Sequence, residues 1–126
     1  RGTVFEEKHK NIIQLLKYFN MNFCVTMSIL NVGYQYEITK YCSQFKKSPS
    51  FFNVLVEPFY LQINNLPSDI ISLYRERNQN HRLYYSKLKN INHFKLGMKF
   101  LKKYDTVHKT NLLDEWPEFE GYYNDH

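Results

Sequence analysis

"FFNVLVEPFYLQI", Phe51 to Ile63, decides between an all-helical chain and one that contains a sheet. It is the most apolar piece of the sequence, and Pro58 divides it. Aromatic and β-branched residues dominate it, which favours extended backbone around Glu57 and Pro58. Just ahead of it, however, Ser48 and Pro49 have the form of an N-cap followed by proline at the first helical position. Its neighbours also read as helix, so the stretch is expected to be a short core helix. The alternative is a small hairpin around residues 51–63, and with it an α+β fold.

Upstream, "FNMNFCVTMSILNV" (Phe19 to Val32) poses the same choice. Phe23, Val25, Met27 and Ile29 alternate like a strand, whereas Phe23, Met27 and Leu30 also fit a helix, and helix is expected. The run is broken by Asn20, Asn22 and Asn31 and falls short of the roughly 20 apolar residues a membrane helix requires, so no membrane span is expected.

The remaining segments show helical periodicity. Phe5, Ile12, Ile13, Leu16 and Phe19 predict an amphipathic helix from about Val4 to Asn20. Tyr34, Ile38, Tyr41, Cys42 and Phe45 follow one buried helical face. Pro67, Ser68 and Asp69 mark a helix start ahead of Ile70, Ile71, Leu73 and Tyr74. Polar turns at residues 78–80 and 90–92 then separate two further helices, one with Leu83, Tyr84 and Leu88, the other from Phe94 to Tyr104. The pattern predicts a mostly α fold, a compact bundle of about five to six short helices forming a single helical domain over residues 1–113. An extended acidic-aromatic tail over residues 114–126 is expected to pack on that domain or on a partner.

A length of 126 residues suits one domain. With 43% hydrophobic and 17% aromatic residues the composition is that of a folded chain rather than a disordered one. The sequence starts at Arg1, as a piece of a longer protein would. Cys24 and Cys42 have no Cys or His partner at metal-binding spacing and form no disulfide framework. Two unpaired thiols suit a reducing compartment, so an intracellular protein, nuclear or cytoplasmic, is expected.

The net charge of +5 is unevenly distributed. Between Arg75 and Lys109 there are ten Lys or Arg against two acids, whereas from Asp114 onward there are five acids and no Lys or Arg. On a helix at about 100° per residue, Lys95, Lys99, Lys102 and Lys103 share one sector, opposite Phe94, Leu96, Met98, Phe100, Leu101 and Tyr104. Arg82 and Lys89 share the polar face of the preceding helix. Together these residues can neutralise phosphates in a salt-sensitive manner largely blind to base sequence. Base readout has only Asn90, Asn92 and His93 to draw on.

Short helices ending in a basic one resemble the helix-turn-helix arrangement. "EITKYCSQFKKSPSFF" followed by "FYLQINN" and "IISLYRERN" also resembles the SWIRM domains of chromatin complexes, and that resemblance implies a helical domain that contacts DNA or histones.

No catalytic, metal or cofactor motif appears. The five histidines are scattered, with no HxxxH or HExxH spacing, and there is no nucleophile elbow or glycine-rich phosphate loop. In the tail, Trp116, Phe119, Tyr122 and Tyr123 among the acids have three possible destinations: the basic helices, a partner's groove, or this domain's own core. The expected function is a non-enzymatic protein-protein interaction module of a larger intracellular protein. Its exposed aromatics and arginines, Tyr85, Tyr122, Tyr123, Arg75 and Arg77, would meet a protein partner. The alternative is a basic nucleic-acid- or chromatin-binding domain using the lysine face over residues 82–103.

Overall fold

Phe23 and Val25 are half-covered and Met27 fully buried, while Cys24 and Thr26 between them face outward. That two-residue alternation is a strand's, and the backbone follows it. In a computed structural model, which describes residues 4–45, 49–79 and 91–124, strand β1 (Phe23–Met27) pairs in parallel with strand β2 (Pro49–Val54). Cys24 stands opposite Phe51 and Met27 opposite Val54. A parallel pair needs a crossover of a dozen or more residues. Residues 28–48 provide it, carrying a 3-10 turn and helix α2 (Gln35–Ser43).

The helix expected over Met21–Leu30 and the one expected over Phe51–Ile63 are therefore both corrected to strand. The hairpin alternative is corrected as well, because β2 pairs with β1 rather than with the residues beyond Pro58. Those residues wind into two 3-10 turns, Phe59–Leu61 and Ile63–Asn65. Pro49, expected at the first position of a helix, instead opens β2, at the strand position where a missing N–H is tolerated, and Ser48 lies outside the described residues.

Helices dominate all the same. Before the sheet comes α1 (Phe5–Leu16), and after it α3 (Ser68–Arg77), α4 (Ile91–His108), α5 (Leu112–Glu115) and α6 (Glu120–Tyr123). With α2 this makes six short helices among the described residues, a compact and mostly helical bundle. The tail expected to be extended is instead wound into α5, a 3-10 turn at Pro117–Phe119, and α6.

The core gathers Ile29 and Val32 from the crossover, Ile63 and Leu66, Ile70 and Tyr74 from α3, Phe94 and Met98 from α4, and Leu112 and Phe119 from the C-terminal turns. Two close approaches shape it. Asn78 ends α3 and is buried; its Nδ2 donates to the carbonyls of Tyr74 (2.7 Å) and Gly33 (2.9 Å), and its Oδ1 accepts from the Tyr36 N–H (2.7 Å). This ties the end of α3 to the start of α2, with Gly33 so near the Tyr74 ring that a Cβ there would lie 2.8 Å from it.

At Gly97 a Cβ would lie 2.7 Å from the Tyr60 carbonyl oxygen, so the absent side chain is what lets the 59–61 turn rest on α4. Gly97→Ala is expected to displace that turn. The overpacking, worth about 1–3 kcal/mol, outweighs the ~1 kcal/mol gained in helix propensity, so denaturant unfolding should show a net loss of stability.

Helix α1 has the expected amphipathic pattern but buries none of its residues. Phe5 meets the Tyr41 ring edge-on at 5.5 Å, and His9 Nδ1 lies 3.0 Å from the Tyr41 hydroxyl. Phe5 nevertheless stays 63% exposed.

Candidate functional site

Helix α4 is apolar on more of its circumference than the core can cover. Phe94 and Met98 are buried, whereas Phe100 and Tyr104 are 45% and 43% exposed and Val107 is 71% exposed. These last three stand at i, i+4 and i+7 and form one strip along the helix. Beside the strip runs a groove of ≈ 780 Å³ whose lining also includes Tyr60, Leu61, Leu112 and Trp116.

The walls are held in place. The Tyr60 ring stacks on Phe100 with centroids 4.6 Å apart, and the Trp116 indole N–H donates to the Leu30 carbonyl at 2.9 Å. Below the groove, buried Asp105 joins the end of α4 to the C-terminal turns. Its Oδ2 accepts from the Leu112 N–H (2.8 Å) and the Tyr123 hydroxyl (2.7 Å), and its Oδ1 from the Thr110 hydroxyl (2.7 Å). Burial alone would raise this carboxyl's pKa, but the three hydrogen bonds outweigh it and hold the group below the ordinary aspartate value.

The residues singled out from the sequence do not form one patch. Lys95, Lys99 and Lys103 are exposed on α4, and at about 100° per residue Lys99 and Lys103 border one side of the apolar strip. Lys102 is half-buried, its ammonium 5.3 Å from the centroid of the Tyr123 ring, so the tail covers the lysine face at that one position. Arg75 is on the exposed side of α3. Arg77 turns inward instead: its Nη1 lies 3.3 Å from Glu118 Oε1, and its guanidinium sits 5.1 Å and 5.0 Å from the Tyr34 and Tyr74 ring centroids. Through Glu118 it fastens the tail. Arg82, Lys89 and Tyr85 lie outside the described residues.

Of the destinations open to the tail aromatics, the structure shows this chain's own core. Phe119 is fully buried, and Trp116, Tyr122 and Tyr123 pack around the core cluster. Tyr122 donates to Asp69 Oδ1 (2.8 Å) and Tyr123 to Asp105 Oδ2 (2.7 Å). Burial, then the hydrogen bond to a carboxylate and its charge, push both phenols up to about 12 from 10.0. A phenol pKa raised by folding contributes stability that is complete below pH ~10 and lost as pH rises through the folded value. Absorbance titration of phenolate should therefore show two late-ionising tyrosines near pH 12 that shift toward 10 when Asp69 and Asp105 are replaced by Asn.

Reasoning from sequence missed the groove and the inward turn of Arg77. Val107 carried a usable signal, since it extends the Phe100–Tyr104 spacing by one turn beyond the helix end read from the pattern. No signal for the Arg77–Glu118 pair was available, because its members are 41 positions apart.

Among the described residues no group of three or more His, Cys, Asp or Glu side chains is placed to hold a metal ion, and no helix is long and apolar enough to cross a membrane. Cys24 is exposed and Cys42 buried, both as free thiols. Compared with protein families, with curated proteins and with solved structures, the chain finds no match. The segment on which the likeness to SWIRM domains rests contains strand β2 between its helices.

Proposed function

We propose that the chain is a non-enzymatic protein-protein interaction module that docks a partner in the groove beside α4. The observation that carries this reading is the exposed strip of Phe100, Tyr104 and Val107, bordered by the preformed apolar wall of Tyr60 and Trp116. Contiguous exposed apolar surface of this kind, rimmed by charge, is costly in water and typical of docking sites. The exposed free thiol of Cys24 suits a reducing interior, nuclear or cytoplasmic.

A photoreactive residue at Val107 is expected to give a discrete protein adduct that Phe100→Asp abolishes. Adducts to nucleic acid, or the same adduct from a photoreactive residue at Cys24 on β1, would contradict the reading.

A second reading, nucleic-acid or chromatin binding, is favoured by the exposure of Lys95, Lys99 and Lys103 on one side of α4. Lys103 lines an apolar groove that Glu115 lines as well, which suits a phosphate backbone poorly. Duplex DNA or RNA should bind weakly, and more weakly still as salt rises. Submicromolar binding at physiological salt, abolished by Lys95→Glu with Lys99→Glu, would reverse the order of the two readings.

A further inference from the structure

We infer that the groove's occupant is an amphipathic helix of a partner protein whose apolar stripe is edged by acids on the side that meets α4. This rests on the groove being a protein-docking surface. Phe100, Tyr104 and Val107, at i, i+4 and i+7 along α4, span roughly 10 Å at about 1.5 Å per residue. An open helical ridge beside a groove is complemented by a second helix presenting anchors at the same spacing.

Charge fixes which helix. Lys99 and Lys103 stand exposed along one border of the strip, and Lys103 also lines the groove. The one acid on α4, Asp105, is buried with its carboxylate already engaged by three donors, so the α4 wall presents positive charge alone. Glu115, also exposed, lines the same groove. The lysine border of α4 selects a partner helix with Glu or Asp toward α4. A polyanion or an anionic lipid surface would meet Glu115 and Asp114 unfavourably.

Trp116 is the chain's single tryptophan and lines this groove, so its emission reports occupancy without a label. The test titrates the full chain with three 18-residue helical peptides: one with a leucine stripe edged by glutamate, one edged by lysine, and one of the first composition in scrambled order. The glutamate-edged peptide is expected to bind about tenfold tighter than the lysine-edged one at low salt, as two rim ion pairs supply. The gap should narrow as salt rises. Lys99→Glu with Lys103→Glu should reverse the preference, and Val107→Asp, at a position 71% exposed, should remove binding with the fold intact.

Equal affinity for the two edged peptides would overturn the charge inference and leave the docking reading standing. Trp116 responding only to duplex nucleic acid or to lipid vesicles, or to none of the probes, would overturn both. A concentration-dependent dimer abolished by Val107→Asp would assign the groove to a second copy and overturn the inference.

Discussion

Phe119→Ala is expected to lower the unfolding free energy by about 3–5 kcal/mol, the usual cost of emptying a fully buried phenylalanine site. Phe119 has no solvent exposure and meets Phe94, equally buried, edge-on at 5.5 Å. Phe94 in turn contacts Tyr122 at 5.2 Å, so the cavity opens where α4, the 117–119 turn and α6 meet. The Tyr122 ring beside Phe94 is held by its hydroxyl on Asp69 and has little freedom to collapse into the space. Deleting residues 114–126 should cost more still, because it also removes Glu118 and the Trp116 anchor. A loss under about 1 kcal/mol for Phe119→Ala in denaturant unfolding would mean the tail does not occupy this position.

Arg77→Met is the second large effect, expected to cost about 3 kcal/mol, the low end for breaking a buried pair because the Arg77 side chain keeps 29% exposure. Its partner is the reason. The Glu118 side chain is 6% exposed, its Oε1 accepts from Tyr74 at 2.7 Å and from Arg77 at 3.3 Å, and its Oε2 makes no hydrogen bond among the described residues. Without the guanidinium, that carboxylate is left buried beside a phenol alone. The same substitution at Lys99, on the exposed side of α4, should stay within about 0.5 kcal/mol. Combining Arg77→Met with Glu118→Gln should recover much of the loss, and simple additivity of the two would show that they do not act as a pair.

Helices α1 to α4 were legible in the sequence because a 3.6-residue apolar period is a local property. Their approximate positions follow from Leu16, Cys42, Ile70 and Phe94 and their neighbours. The strands were not, because a run of five or six apolar and β-branched residues satisfies both periods. The deciding fact, that 23–27 lies beside 49–54, is a tertiary one. Periodicity also shows that a helix face is apolar without showing what covers it. Hence the two faces expected to be covered came out differently: α1 leaves Phe5 and Ile13 exposed, and α4 covers Phe94 and Met98 but not Phe100 or Val107. The lysine side of α4 was legible in full, yet its significance changed once an open apolar strip appeared beside it. Arg77, counted with the surface cations, is the case in which composition misled, because the acid that draws it inward lies in the tail.

The C-terminal aromatics are used inside this chain, and the α4 strip that stays exposed is the surface we propose for a partner. Native-state hydrogen exchange of the free chain tests this most directly. The amides of Leu112, Trp116 and Phe119, which bond to Asp105 Oδ2, the Leu112 carbonyl and the Trp116 carbonyl, are expected to be protected to the same free energy as the core of α4. Exchange of those three amides at unfolded-chain rates while α4 remains protected would contradict it.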